Sequence, residues 1–336
     1  MEKQKSRVYT GNPNGGSPYI GGLDRGINYD TDEIERDFIE QQGNFPKIVN
    51  GYRMNARKLI SHLSTNKGDV ILDIGSGTGI STLELFSQNP YLRVVGLEIS
   101  KGMLEVAKYK FHQTNGKDLL KQVDNQKLKD YWNEFKGESK PHKDKVKFIL
   151  GNIEKTKKIT PKSIDNAIAN QVMHWTDLST SFKQLNKFLK TKGELIWSSA
   201  SHFYNDSQFP SAEYGFRYHD FLGFVMDEVA KKVEVKVYKS LSKPEYNLES
   251  IQNITAKQGF KTEHIATNRE FVDFQIFLKT HLPVLAKTLI TSKINDKRKE
   301  NIIKQAIAKT IINPKALTDT THKYDIVPIF RSIKTP

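Results

Sequence analysis

Three observations predict an α/β fold. Residues 70–74 are a short apolar run rich in β-branched residues. The run breaks into glycines at 75, 77 and 79, then passes into 80–86, whose apolar spacing suits a helix. Residues 93–98 form a second apolar run that ends in a carboxylate, Glu98, 23 positions after Gly75. Further strand-like runs recur at 146–150, 164–169, 193–200, 260–266 and 324–333, with helix-like stretches between most of them.

Strand, glycine turn and helix form the entry to a nucleotide-binding α/β unit. Glycines let the backbone turn tightly and approach a ligand without a Cβ in the way. The helix that follows aims its free N–H groups at the same place. An acid at the end of the second strand can accept hydrogen bonds from both ribose hydroxyls of an adenosine. Together these features predict an adenosine-containing cofactor. A dinucleotide fingerprint asks for G-x-G-x-x-G; here position 80 is Ile, and Asp73 precedes the turn.

Composition narrows the setting. The 336 residues suffice for one large α/β domain with additions, or two small ones. No apolar, uncharged window of about 18 residues occurs, so no membrane span is expected. The opening Met1-Glu2-Lys3-Gln4-Lys5-Ser6-Arg7 has no apolar stretch behind it, so no secretory signal is expected, and a cytoplasmic location is the expectation. With no cysteine, disulfides, Cys-ligated metals and thiolate nucleophiles are excluded, 5-methylcytosine formation among them. No metal site is read. The net charge of +14 fits a lysine-rich solvated surface, an acidic partner, an anionic substrate or nucleic acid. Lysine is spread along the whole chain, which weighs against nucleic acid.

Taken in order, residues 1–45 are expected to be an N-terminal arm or lid, rich in Gly, Asn and Pro over 9–28, with a short helix at 31–42. An amphipathic helix follows at 46–63, with Ile48, Tyr52, Ala56, Leu59, Ile60 and Leu63 on one face. Ser100 caps a helix whose inward face holds Met103, Leu104 and Ala107. Residues 113–145 are long and polar where a short link is usual, and are expected to be an inserted surface helix plus loop. The core spans 46–200. Residues 201–246, dense in aromatics, are expected to form a substrate lid, and such a lid suggests an apolar ligand. Residues 247–336 complete the core, with helix at 248–258, Gly259 ending it, and a helical cap at 268–312. That cap comprises an apolar helix at 271–290 and a basic amphipathic one at 291–312.

The run Asp73-Ile74-Gly75-Ser76-Gly77-Thr78-Gly79 resembles the D/E-x-G-x-G-x-G motif of class I S-adenosylmethionine-dependent methyltransferases. The resemblance implies a seven-stranded Rossmann-like sheet with the N-terminal arm and helical cap insertions added. It implies S-adenosyl-L-methionine as cofactor, with Asp73, Gly75, Ser76, Gly77 and Gly79 against its amino-acid part and Glu98 at the ribose. It also implies that Ile99, Met103, Asn152 and Ile153 border the adenine. Tyr52 and Arg53, before the first strand, are candidates for covering the cofactor, Arg53 at its carboxylate. The family more often has Asp where Asn152 stands.

The ending of the fourth strand, Asn170-Gln171-Val172-Met173-His174-Trp175, bears on the acceptor. Base-modifying N-methyltransferases place an N/D-P-P-aromatic motif there, and this chain has no such proline. Its N-x-x-x-H-W looks like the group that includes the trans-aconitate, biotin-pathway malonyl carrier-protein and juvenile hormone acid methyltransferases, which methylate carboxylates. That resemblance implies His174 and Trp175 orienting the acceptor, Gln171 hydrogen-bonding it and Asn170 at the cofactor. It implies a small acid as substrate, either free or on an acidic acyl carrier protein. Transfer to a carbon, nitrogen or hydroxyl group of another small metabolite stays open, as do two other classes: an RNA or protein methyltransferase, and a cofactor-binding scaffold without turnover.

Overall fold

The computed structural model describes residues 46–121, 126–173, 176–199, 218–234, 246–271, 290, 292–311 and 324–336. The apolar runs become strands β1 (Val70–Ile74), β2 (Arg93–Glu98), β3 (Val146–Leu150), β4 (Asn166–Ala169), β5 (Glu194–Ser198), β6 (Phe260–Phe271) and β7 (Tyr324–Lys334). They form one seven-stranded sheet in the order β3-β2-β1-β4-β5-β7-β6. The first five strands pair in parallel, and β7 runs antiparallel to β5. Parallel strands are covered on both faces and so read as continuous apolar runs, as β1 and β5 do. Strand order reverses at β1, which lies between β2 and β4. In such sheets the crevice outside the carboxyl ends at this switch point is where ligands bind.

Helices α1 (Pro46–Ile60), α2 (Ile80–Gln88) and α3 (Lys101–Lys110) belong to the first half of the sheet. Every residue of α2 from Ile80 to Phe86 is buried, Glu84 included. A charge inside a fully covered helix needs partners. Glu84 has two, Arg53 Nε at 2.9 Å and Arg57 Nε at 2.6 Å, both from α1.

Several boundaries differ from the expected ones. The fourth strand begins at Asn166, two residues late, because the Asp165 carboxylate accepts the Val70 N–H at 2.9 Å and Ile164 bridges to Leu189 instead. The helix between β4 and β5 is α6 (Leu178–Phe188), begun by Asp177, whose side chain accepts the Thr180 N–H. β6 runs on through Thr267, Asn268, Arg269 and Glu270. A strand is held by backbone pairing, so polar side chains need not end it.

The inserted segment holds α4 (Lys117–Lys121), α5 (Gln126–Ser139) and a 3-10 turn at Lys140–His142, and α5 is amphipathic, with one exposed and one buried face. Trp132, Phe135 and Ser139 are buried, at positions i, i+3 and i+7 of one face. Trp132 meets Tyr109 of α3 edge to face at 5.6 Å, and Phe135 meets Phe111 at 5.8 Å. The high polarity of the segment masks this stripe in the sequence.

The chain divides into two units. One, built from 28–200, 248–268 and 327–336, carries the sheet and α8 (Leu248–Ala256). The other draws on 201–247 and 269–326, and its described helices are α7 (Tyr218–Ala230) and α9 (Asp296–Ile311). These two pack together, burying Val225, Met226 and Val229 on one side and Ile302, Ile303 and Ile307 on the other. The basic helix expected at 291–312 is α9. The arm at 1–45, the lid stretch 201–217 and the apolar helix expected over 271–290, but for its end residues, lie outside the described residues. Among the described residues, no helix is long and apolar enough to cross a membrane.

If α5 is part of the packed core, Trp132→Ala is expected to cost about 3–5 kcal/mol in chemical denaturation. Glu134→Ala, two residues on and on the exposed face, is expected to change stability by less than about 0.5 kcal/mol.

Candidate active site

The glycine loop leaves β1 and enters α2. Its three glycines serve different purposes. A Cβ at Gly75 would lie 2.4 Å from Val172, and one at Gly79 would lie 2.9 Å from Phe111. At these two, neighbours occupy the space, and their φ values of +65° and +87° are left-handed as well. At Gly77 a Cβ would meet nothing nearer than 4.0 Å among the described residues, but its φ of +52° is one that side-chain-bearing residues rarely adopt. The loop is therefore packed at both ends and open in the middle. Ser76 and Thr78 are buried.

Glu98 ties this loop to β2. One carboxylate oxygen accepts the Gly77 N–H at 2.9 Å, and the other accepts the Ile99 and Ser100 N–H groups, both at 2.8 Å. The two backbone turns at the carboxyl ends of β1 and β2 thus share one side chain. Ser100 then caps α3 by accepting the Met103 N–H at 3.2 Å. Around this point Ile99 is 43% exposed and Leu150 39% exposed, large values for aliphatic side chains, while Met103 is half-buried and Ile153 buried. Asn152 makes a turn of its own, accepting the Glu154 N–H at 2.7 Å.

Asp73 lies beneath the loop, fully buried in β1. The Thr82 hydroxyl donates to it at 2.6 Å, while its other oxygen has no hydrogen-bond partner among the described residues. Burial pushes its carboxyl up to about 7; the Thr82 bond opposes the rise and the nearby Glu98 charge adds to it.

At the end of β4 a polar network gathers. Asn170 Oδ1 accepts from Asn55 Nδ2 at 2.5 Å and from the Ser198 hydroxyl at 3.2 Å. Its amide donates to Ser81 at 3.4 Å, and Asn268 donates to Asn55 Oδ1 at 3.1 Å. Gln171 has φ +54°, in the left-handed region, and its N–H donates to the Ser198 hydroxyl at 2.9 Å. This costly backbone conformation sets Val172 against Gly75. Sequence reasoning missed Asn55, Ser198 and Asn268. The available signal was Asn55, a polar residue on the apolar face of α1, one position before Ala56 and four before Leu59.

Of the expected site residues, Asp73, Gly75, Ser76, Gly77, Gly79, Glu98, Ile99, Met103, Asn152, Ile153, Asn170 and Gln171 all fall at or beside the carboxyl ends of β1 to β4. Arg53 is an ion-pairing residue in this arrangement, with Nε 2.9 Å from Glu84 and Nη2 2.7 Å from Glu138. Tyr52 lies in α1, but its side chain falls outside the described part, and His174 and Trp175 lie outside the described residues altogether.

The family model for the methyltransferase domain matches residues 72–197, from β1 to β5. Residues 72–197 thus carry a methyltransferase domain. The domain holds the loop, Glu98, Asn152 and the Asn170–Gln171 turn. A malonyl-[acyl-carrier protein] O-methyltransferase of Halalkalibacterium halodurans is 30% identical over 179 residues, 51% of this chain and 55% of that protein. A probable S-adenosylmethionine-dependent methyltransferase of Saccharomyces cerevisiae is 29% identical over 133 residues, 39% of this chain and 35% of that protein. The chain thus spans about half or less of the length of the curated relatives it matches. The solved structure of the YcgJ protein from Bacillus subtilis is 15% identical with a TM-score of 0.48, covering 84% of this chain and 99% of that one.

The raised pKa of Asp73 has a signed consequence. The unfolded chain loses this proton near pH 3.9, whereas the folded domain keeps it to about 7. The group therefore costs no stability below about pH 4, and stability falls as pH rises from about 4 to about 7. Asp73→Asn is expected to remove this slope, so that its stability relative to the parent rises across that window by up to a few kcal/mol, read by urea denaturation at successive pH values.

Proposed function

We propose that this chain transfers the methyl group of S-adenosyl-L-methionine to the carboxylate of a small apolar acid, forming a methyl ester and S-adenosyl-L-homocysteine. The observation that carries the cofactor half is Glu98, fixed by the Gly77, Ile99 and Ser100 N–H groups beside a loop whose middle glycine faces open space. An oriented carboxylate next to an approachable backbone suits a ribose and the chain attached to it.

In this reading Gly75, Ser76, Gly77 and Gly79 floor the amino-acid part of the cofactor, with Asp73 behind them. Glu98 takes the ribose hydroxyls. Ile99, Met103, Asn152 and Ile153 border the adenine, which the exposed aliphatic surface of Ile99 and Leu150 supports. Asn170, with Tyr52 and Arg53 from α1, closes the methionyl end, Arg53 sharing its charge with Glu84 and Glu138.

Bound S-adenosylmethionine supplies an electrophilic methyl on a sulfonium. The chain's own task is to orient the acceptor and exclude water. Gln171, in its fixed left-handed turn, hydrogen-bonds the acid, and His174 and Trp175 orient it. A carboxylate is ionised near neutral pH, so no base is required. Positioning alone can supply about 7–11 kcal/mol of the barrier. The carboxylate acceptor is supported by the missing proline in 170–175 and by relatives named as malonyl-[acyl-carrier protein] O-methyltransferases. The net charge of +14 supports an acid delivered on an acidic carrier protein.

The test uses methyl-labelled S-adenosylmethionine, the purified protein and an extract of its source cells that retains both small molecules and acyl carrier proteins, followed by mild base. Methyl esters release volatile labelled methanol, and that is the expected result. Stable label overturns the carboxylate acceptor and makes His174 the candidate base; no transfer overturns the activity. Independently, Glu98→Gln is expected to weaken S-adenosylhomocysteine binding about 10- to 100-fold in calorimetry, as befits loss of a charged hydrogen-bond acceptor.

A further inference from the structure

The inserted segment between α3 and β3 lies apart from the glycine loop in sequence, yet it is joined to the loop through a buried side chain, Lys110. Lys110, in the last turn of α3, is 1% exposed. Its ammonium lies 3.4 Å from the Thr78 hydroxyl of the glycine loop and 3.7 Å above the ring of Phe135 in α5. Burial pushes its pKa well below the ordinary lysine range; Arg53 pushes the same way and Glu138 opposes.

The same helix secures the surroundings of that lysine. The Ser139 hydroxyl donates to the Lys110 carbonyl, and Glu138 takes Arg53 at 2.7 Å. Arg53 in turn pairs with Glu84 in α2, the helix that the loop opens into. Phe135 also lies against Phe111, whose ring is the one a Cβ at Gly79 would strike. The loop is thus open on its outer side at Gly77 and braced on its inner side at Thr78 and Gly79.

We infer that Lys110, seated on Phe135 of the inserted helix, is a positioning residue that holds the glycine loop at Thr78 in its binding conformation. This rests on the cofactor reading given above. Glycine-rich backbone loses much conformational freedom when it is fixed. A loop fixed in advance binds more tightly because less ordering remains for the ligand to impose. The insertion therefore acts on cofactor affinity without touching the cofactor.

Trp132 provides the internal control. It belongs to the same helix, but it packs in a separate cluster with Val106 and Tyr109, on the side of α3 away from the Phe111 and Phe135 cluster. The experiment measures S-adenosylhomocysteine binding by calorimetry, thermal midpoint, and KM against kcat for S-adenosylmethionine, in the full chain. Lys110→Met keeps the stem and removes the ammonium. It is expected to raise Kd and KM about tenfold and to leave kcat within twofold. Phe135→Leu is expected to raise Kd about threefold, and it decides the matter if Lys110→Met does not fold. Trp132→Phe is expected to lower the thermal midpoint and leave Kd unchanged. A Lys110→Met protein that binds as the parent does overturns the inference, as does a Trp132→Phe protein that loses affinity equally. A parent that does not bind S-adenosylhomocysteine at all overturns the cofactor reading, and the inference with it.

Discussion

The carboxylate of Glu98 organises the centre of this molecule. It is the last residue of β2, and it gathers backbone N–H groups from the glycine loop after β1 and from the turn after β2. Charged acceptors bind N–H groups about twice as strongly as neutral ones. The two turns are consequently locked to each other as well as to their own strands. Parallel register sets this up: Ile74 lies opposite Leu97, so β1 and β2 end side by side. The Gly75 N–H donating to the Leu97 carbonyl at 2.8 Å extends that ladder into the loop.

Around this centre the protein places polar groups where an apolar core would be simpler. Glu84 and Asp73 are buried beneath the loop, and Asn170, Asn55 and Ser198 form a network at the end of β4. Two solutions to burial are visible. Glu84 is matched by two arginines and keeps its charge covered. Asp73 has a single hydroxyl donor, and burial raises its pKa instead. The satisfied hydrogen bonds among Asn170, Asn55 and Ser198 rigidify their surroundings. Here they hold Gln171 in a left-handed conformation that an unsupported chain would leave.

The inserted helix extends the same logic outward. Its buried face reaches α3 through Trp132, the exposed Glu138 beside it pairs with Arg53 of α1, and the ring of Phe135 lies under the Lys110 ammonium. A segment that in sequence is a polar interruption becomes a third layer behind the loop. Its stripe at 132, 135 and 139 is short, and the charged residues around it dominate the composition; only the packed partner shows which face is buried.

The sequence by itself determined what is local. A β-branched run, alternate glycines and an acid 23 positions on were enough to predict the β1–loop–α2–β2 unit and the place of Glu98 in it. The cause is that backbone geometry and spacing along one chain decide such units. Tertiary structure alone decided which polar residues meet. Asn55 and Asn170 are 115 positions apart, Asn55 and Asn268 are 213 apart, and Lys110 reaches Thr78 across 32. No periodicity encodes those distances. It also decided why each glycine is there, since Val172 and Phe111 fill the space beside Gly75 and Gly79 while Gly77 stays open. Arg53 shows the same division: its sequence position suggested a ligand, and its fold position supplied two carboxylates, Glu84 and Glu138, that no local pattern announces.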